Sequence, residues 1–318
     1  MTRSARASAT ALGLVAAAGV AAFAYGSLVE RRHFTVRQEL VPVLPPGARS
    51  ITVLHLSDLH MAPWQTDKQE FVRSLVRYEP DLVVDTGDNF GHTDAIDALE
   101  WALEPFRGIP GVFAHGSNDY LGPVFKNPLA YLVGPSRLRK PRKIPLDTPR
   151  LNRFLTDQLG WLDLNNAAHA LELRGSRLEL FGTGDTHQRR DDLAAMEDQV
   201  EELRENVEWS EGTDPEVVGI GVTHAPYRRI LDAFVDAGAD IIFAGHTHGG
   251  QVRIPGFPAL VTNSDLPREQ AQGLSTWSTV HGGAVLEVSA GIGTSIYAPV
   301  RFAVPPEAVL LTLVPRSG

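Results

Sequence analysis

The chain of 318 residues is long enough for one large domain or two small ones, and 43% apolar with 21% charged content is ordinary for a folded globular protein. A net charge of −9 argues against non-specific nucleic-acid binding, which needs a basic surface, and no nucleic-acid partner is expected. Without cysteine, disulfides and thiolate metal sites are excluded, an absence that suits export. Residues 1–30 stand apart. Arg3 and Arg6 precede an apolar, alanine-rich run from Ala11 to Tyr25, and Glu30, Arg31 and Arg32 follow it. The layout predicts a membrane anchor or signal segment. The run is short against the ~20 residues of a spanning helix, but Ser27, Leu28 and Val29 extend it. An uncleaved transmembrane anchor is favoured over cleavage at Ala22-Phe23-Ala24. Positive charges on both flanks leave orientation open, while the signal-like order places the rest outside the cytoplasm.

Residues 31–49 read as a linker or edge segment, because the prolines of Val41-Pro-Val-Leu-Pro-Pro-Gly47 cannot donate to a sheet. A single domain is expected over 50–318. Its strands share one habit. Ile51-Thr-Val-Leu-His-Leu-Ser57 stops at Asp58-Leu59-His60, and Asp81-Leu-Val-Val-Asp85 stops at Gly87-Asp88-Asn89. Val112-Phe113-Ala114 leads to Gly116-Ser117-Asn118-Asp119, and Val217–Val222 to Thr223-His224-Ala225-Pro226. Ile241-Ile-Phe-Ala244 opens into Gly245-His246-Thr247-His248-Gly249-Gly250. Histidines at i and i+2 in extended backbone face one side, and imidazole is the commonest protein ligand of transition metals. Ligands outside the carboxyl ends of strands are the usual site geometry of α/β folds. Helical periodicity at 69–78, 95–103, 150–159, 191–207 and 228–237 alternates with the strands and supports the α/β class. No internal repeat is evident.

The ordered set Asp-x-His, Gly-Asp, Asn, His, Gly-His-x-His resembles the calcineurin-like metallophosphoesterase superfamily over roughly residues 50–315. Leu54–His60, Gly245–Arg253 and the tail Gly291–Ser295, Pro299–Phe302 and Pro306-Glu307 are similar to its bacterial membrane-associated phosphodiesterase branch. The resemblance implies a four-layer α/β/β/α sandwich of two mixed sheets, with a dinuclear metal site at the strand ends. It implies Asp58, His60 and His248 on one metal, Asp88 bridging, and Asn118, His224 and His246 on the other. The two metals would be divalent or trivalent ions of manganese, iron or zinc, which suit carboxylate and imidazole ligands. The implied chemistry is phosphodiester hydrolysis by a hydroxide bridging the metals. The N-terminal segment suggests a lipid-linked phosphate as substrate, while cyclic nucleotides, glycerophosphodiesters and cell-wall precursors stay open, as does the oligomeric state. A phosphomonoesterase and a non-catalytic metal-binding module are the alternatives.

One block departs from the family. Where it carries Gly-Asn-His-Asp or Gly-Asn-His-Glu, this chain has Gly116-Ser117-Asn118-Asp119. Aligned on the asparagine, Asp119 takes the place of the histidine and is a candidate catalytic acid if its pKa is raised; His115 is a second. Asp185 and His187 are expected in a turn near the pocket. His55 and Asp85 are expected to support the ligands without binding metal. The acidic stretch 191–211 reads as a solvated helix face. The basic cluster Arg137–Lys143 is either a solvated loop or a membrane contact.

Overall fold

The computed structural model describes residues 3–123, 144–210, 212 and 216–317, with the backbone alone at 3–12 and 15. The basic cluster Arg137–Lys143 lies outside the described residues. Twelve strands form two six-stranded mixed sheets. The first runs in the order β1 (Thr35–Leu44), β12 (Glu307–Pro315), β2 (Ile51–Leu56), β3 (Leu82–Asp85), β4 (Gly111–Phe113), β5 (Leu162–Asp163). The second runs β10 (Gly273–Ser278), β11 (Gly283–Val288), β9 (Ile241–Ala244), β8 (Val217–Val222), β7 (Ser176–Gly182), β6 (Ala167–Leu173).

Strand alternation builds the layers. Val53, Val84, Val112, Leu178, Ile220 and Phe243 meet between the sheets. Their neighbours Leu54, Leu56, Val83 and Phe113 turn outward beneath α2 (Thr66–Ser74), α3 (Ile96–Leu103) and α4 (Thr148–Arg153). Phe181, Ile242 and Leu286 face α5 (Leu193–Asn206) and α6 (Arg228–Asp236) through Met196, Val200, Ile230 and Phe234. The result is the four-layer α/β/β/α sandwich that the sequence implied. Helices fall within a few residues of the predicted spans, and the acidic residues of α5 face solvent while Met196 and Val200 are buried.

Of the two readings of segment 31–49, linker or edge segment, the structure has the edge: β1 pairs parallel with β12 from Thr35 to Leu44, with a register shift between Pro42 and Leu44. The shift accommodates the proline, and Val41, Val43 and Leu44 enter the inter-sheet core. At the N-terminus, α1 (Arg3–Leu28) is one continuous helix. Among the described residues, no helix is long and apolar enough to cross a membrane. The foot of α1 rests on the tail: Arg301 N–H donates to Gly26 O at 3.1 Å, and Tyr25 meets Phe302 edge-on at 6.4 Å.

Candidate metal centre

Strands β2, β3 and β4 run parallel in one sheet, as do β7, β8, β9 and β11 in the other, so their carboxyl ends open on a common edge. There the chain turns sharply. Asp58, His60, Asp88, His246 and His248 all hold positive φ, between 40° and 68°. Left-handed backbone is costly for such residues and clusters at functional sites. Gly245 lets β9 approach β2, since a Cβ there would lie 2.6 Å from Asp58 Oδ2.

Two groups of ligand atoms converge there, Asp58–His60–His248 and Asp58–Asp88–His224. In the first, His60 Nε2 and His248 Nε2 are 3.3 Å apart, with Asp58 Oδ1 3.8 Å and 3.4 Å from them. Asp88 Oδ2 lies between the groups, 3.6 Å from His60 Nε2 and 3.5 Å from His224 Nε2. His246 Nδ1 lies 3.2 Å from His224 Nε2. Asn118 also reaches Asp88, donating its backbone N–H to Oδ1 at 2.7 Å and its side-chain amide to Oδ2 at 2.6 Å. Ligation through the Asn118 oxygen requires that amide to turn over.

The arrangement fits cations. His224 Nδ1–H donates to Thr86 O at 2.8 Å, which leaves Nε2 as a lone pair. His246 Nε2 lies 3.2 Å from Asn263 O and 3.0 Å from Asn263 Nδ2, so its proton can sit on either ring nitrogen. With Nε2 of His224 3.2 Å from Nδ1 of His246, the pair is spaced to share one cation. Nitrogens about 2.0–2.1 Å from one metal, at right to tetrahedral angles, sit about 2.9–3.4 Å apart. Both histidine pairs have that spacing. Asp58 Oδ1 is also buried without a hydrogen-bond partner, while Oδ2 accepts from Ser57 Oγ at 2.6 Å and His246 N–H at 2.9 Å.

Electrostatics agree. Burial pushes the His60 and His248 pKa values down to about 4 and that of His246 well below its usual value, which keeps these rings neutral and able to bind metal. Burial raises the Asp88 carboxyl. Burial would raise Asp58 as well, but His248, His224 and His60 hold it down. His224 differs: burial is outweighed by Asp88 and Asp58, the pKa rises to about 9, and a metal at Nε2 would displace a proton that these carboxylates otherwise hold.

Asp119 sits apart from this ligand shell. It is fully buried, with Oδ2 accepting from the N–H groups of Asp88 (2.7 Å) and Gly116 (2.9 Å) and Oδ1 from that of Asn89 (2.8 Å). Its pKa is lowered, since His115 and these amides outweigh burial. A protonated acid is what this environment opposes. His115, the second candidate, lies 3.6 Å away and is buried with Nε2 2.7 Å from Asn152 Oδ1. Asp185 ties two loops, accepting from Ser117 Oγ at 2.8 Å and His187 N–H at 2.9 Å. His187 packs its ring 4.8 Å from that of His246 and its Nδ1 2.9 Å from Tyr227 Oη. His55 is buried against Phe243 and Thr86, and Asp85 accepts from Gly87 N–H and Asn89 Nδ2.

Sequence reasoning missed Arg301. It is fully buried, donates to the carbonyls of Ala290, Gly291, Gly293 and Val304, and lies 3.3 Å from His248 Nδ1. Its only signal was its place in the Pro299–Phe302 motif.

The family model for calcineurin-like phosphoesterases matches residues 51–250, from the start of β2 to just past His248. An uncharacterized metallophosphoesterase of Aquifex aeolicus is 26% identical, covering 85% of this chain and 87% of its own. The uncharacterized metallophosphoesterase YkuE of Bacillus subtilis is 21% identical, covering 93% and 89%. A transmembrane protein with a metallophosphoesterase domain from Bos taurus is 25% identical over 67% of this chain, which spans 44% of that relative. The chain belongs to the calcineurin-like phosphoesterase family, as a metal-dependent phosphoester hydrolase.

Proposed function

We propose that the protein is a membrane-associated phosphodiesterase with a dinuclear metal centre, acting on a lipid-linked phosphate, with its catalytic domain outside the cytoplasm. The observation that carries the metal reading is the pair of facing histidine couples, His60–His248 and His224–His246, with the Asp88 carboxylate between them. Asp58, His60 and His248 would hold one metal and His224 and His246 the other, with Asp88 shared and Asn118 alongside. When bound, the metals would supply an acidified water and neutralise charge on the phosphoryl oxygens. The chain's own groups hold this shell: Thr86 O orients His224, Asn263 holds the His246 ring, and Ser57 and the His246 amide orient Asp58. We read Asp119 as a brace and not as the leaving-group acid. Aligned without a gap, it matches the acidic fourth residue of Gly-Asn-His-Asp, and Asn118 then occupies the histidine position.

Arg301 supports a diester substrate. Among the described residues it is the guanidinium that touches the ligand shell, and it is committed to backbone carbonyls and not free to bind a second oxyanion charge. The membrane reading draws on α1, on the flanking Arg3 and Arg6, and on the Bos taurus relative, which is described as transmembrane. The test compares bis-p-nitrophenyl phosphate with p-nitrophenyl phosphate under the same metal. The diester should be turned over with a kcat/KM at least about tenfold higher. Asp88→Asn and His246→Ala should both abolish the activity. Preference for the monoester would overturn the diesterase assignment, and full activity in either variant would overturn the site.

A further inference from the structure

A second polar cavity, of about 150 Å³, lies at the foot of α1, behind the loop that carries His60. Arg31, Arg32 and Lys68 line it together with Trp64, Gly293 and Thr294. The cations belong to different elements: Arg31 and Arg32 to the short turn that follows α1, Lys68 to α2. Asp67 pairs with Arg32 at 2.7 Å, so three cations face one carboxylate in a chain whose net charge is −9. Arg31 Nε is buried and has no hydrogen-bond partner among the described residues. Lys68 is buried, with Nζ donating to Leu59 O at 2.7 Å and His60 O at 2.8 Å. An ammonium carries three donors, so one is left over.

Directly before this cavity, α1 exposes Leu14, Val20, Phe23 and Leu28, Val29 just after it is exposed as well, and Trp64 is exposed at the rim. Apolar side chains beside a cationic pocket match the two parts of a bilayer surface, acyl chain and charged headgroup. We propose that the Arg31–Arg32–Lys68 cavity binds the phosphate of an anionic lipid headgroup and seats the protein on the membrane with α1 lying in the interface.

This rests on the membrane part of the reading above and is independent of the hydrolytic part. The test is sedimentation of the full chain with vesicles of phosphatidylcholine, alone or with phosphatidic acid at about one part in four. Wild type should bind both, the acidic vesicles more tightly, and Arg31→Gln should weaken only the binding to acidic vesicles, by about fivefold. Turnover of bis-p-nitrophenyl phosphate in Arg31→Gln should be unchanged, which shows that the variant is folded. Equal binding of the two proteins to acidic vesicles would overturn the proposal. Equal binding of wild type to both vesicle types would overturn the pocket and leave the membrane reading standing. No binding to either would overturn both and leave hydrolysis untouched. A second arm titrates the chelated full chain with inorganic phosphate and follows tryptophan fluorescence. A response that Arg31→Gln loses, with no vesicle preference, would reassign the cavity to free phosphate and overturn the lipid source.

Discussion

Asp119 holds its charge against the N–H groups of Asp88, Asn89 and Gly116, and so joins the loop after β3 to the loop after β4. This account makes it a determinant of stability and site geometry. Asp119→Asn puts an amide N–H against donors at one oxygen, and each buried donor left unpaired costs about 1–3 kcal/mol. The variant should therefore lose about 2–4 kcal/mol of stability and bind metal less well, as seen by denaturant unfolding and metal analysis. Native stability and metal content with turnover alone abolished would restore the catalytic-acid reading. The candidate ligands were legible in the sequence, since Asp58, His60, Asp88, His224, His246 and His248 each sit in a short motif at a strand end. Asp119 was not, because its partners lie at its own loop and about thirty residues upstream, and an aspartate that caps distant amides has no local signature. Arg301 was hidden for the same reason: its buried carbonyl partners reveal it only after the tail has folded over β11.

At the scale of elements, the alternating apolar runs made β2, β3, β8 and β9 readable, and 3.6-residue periodicity located α2 to α6. β1 was legible only as a linker or edge segment, because Pro42 argued against a central strand and because its partner β12 follows more than 260 residues later. A register shift settles the conflict, and the strand then buries Leu44 completely. Leu44→Ala should cost about 2–5 kcal/mol, as a core leucine does. A linker leucine would cost less than about 0.5 kcal/mol, and a measured loss that small would demote β1 from the core. α1 was located from its composition.

For the molecule as a whole, the two sheets are joined by charge as well as by apolar packing. Arg37 on β1 pairs with Glu287 on β11 and with Glu307 on β12. Burial lifts the Glu287 carboxyl to about 7 in spite of that pairing. A carboxyl raised above its unfolded value of about 4.3 contributes stability that is complete below that pH and lost as the pH climbs through about 7. Glu287→Gln removes this dependence. Its Tm, relative to wild type, should be more favourable at pH 8 than at pH 5; a difference that stays constant or reverses would show that the pairing with Arg37 outweighs burial.

The central claim is that the shared edge of the two sheets holds two metals that the hydrolysis requires. Its most direct test is metal content, measured together with bis-p-nitrophenyl phosphate turnover, on the full chain before chelation, after it, and after Mn²⁺ is restored. The account predicts about two metals per chain, with activity lost on chelation and recovered on add-back. Protein that binds no metal, or turnover that chelation leaves intact, would contradict it.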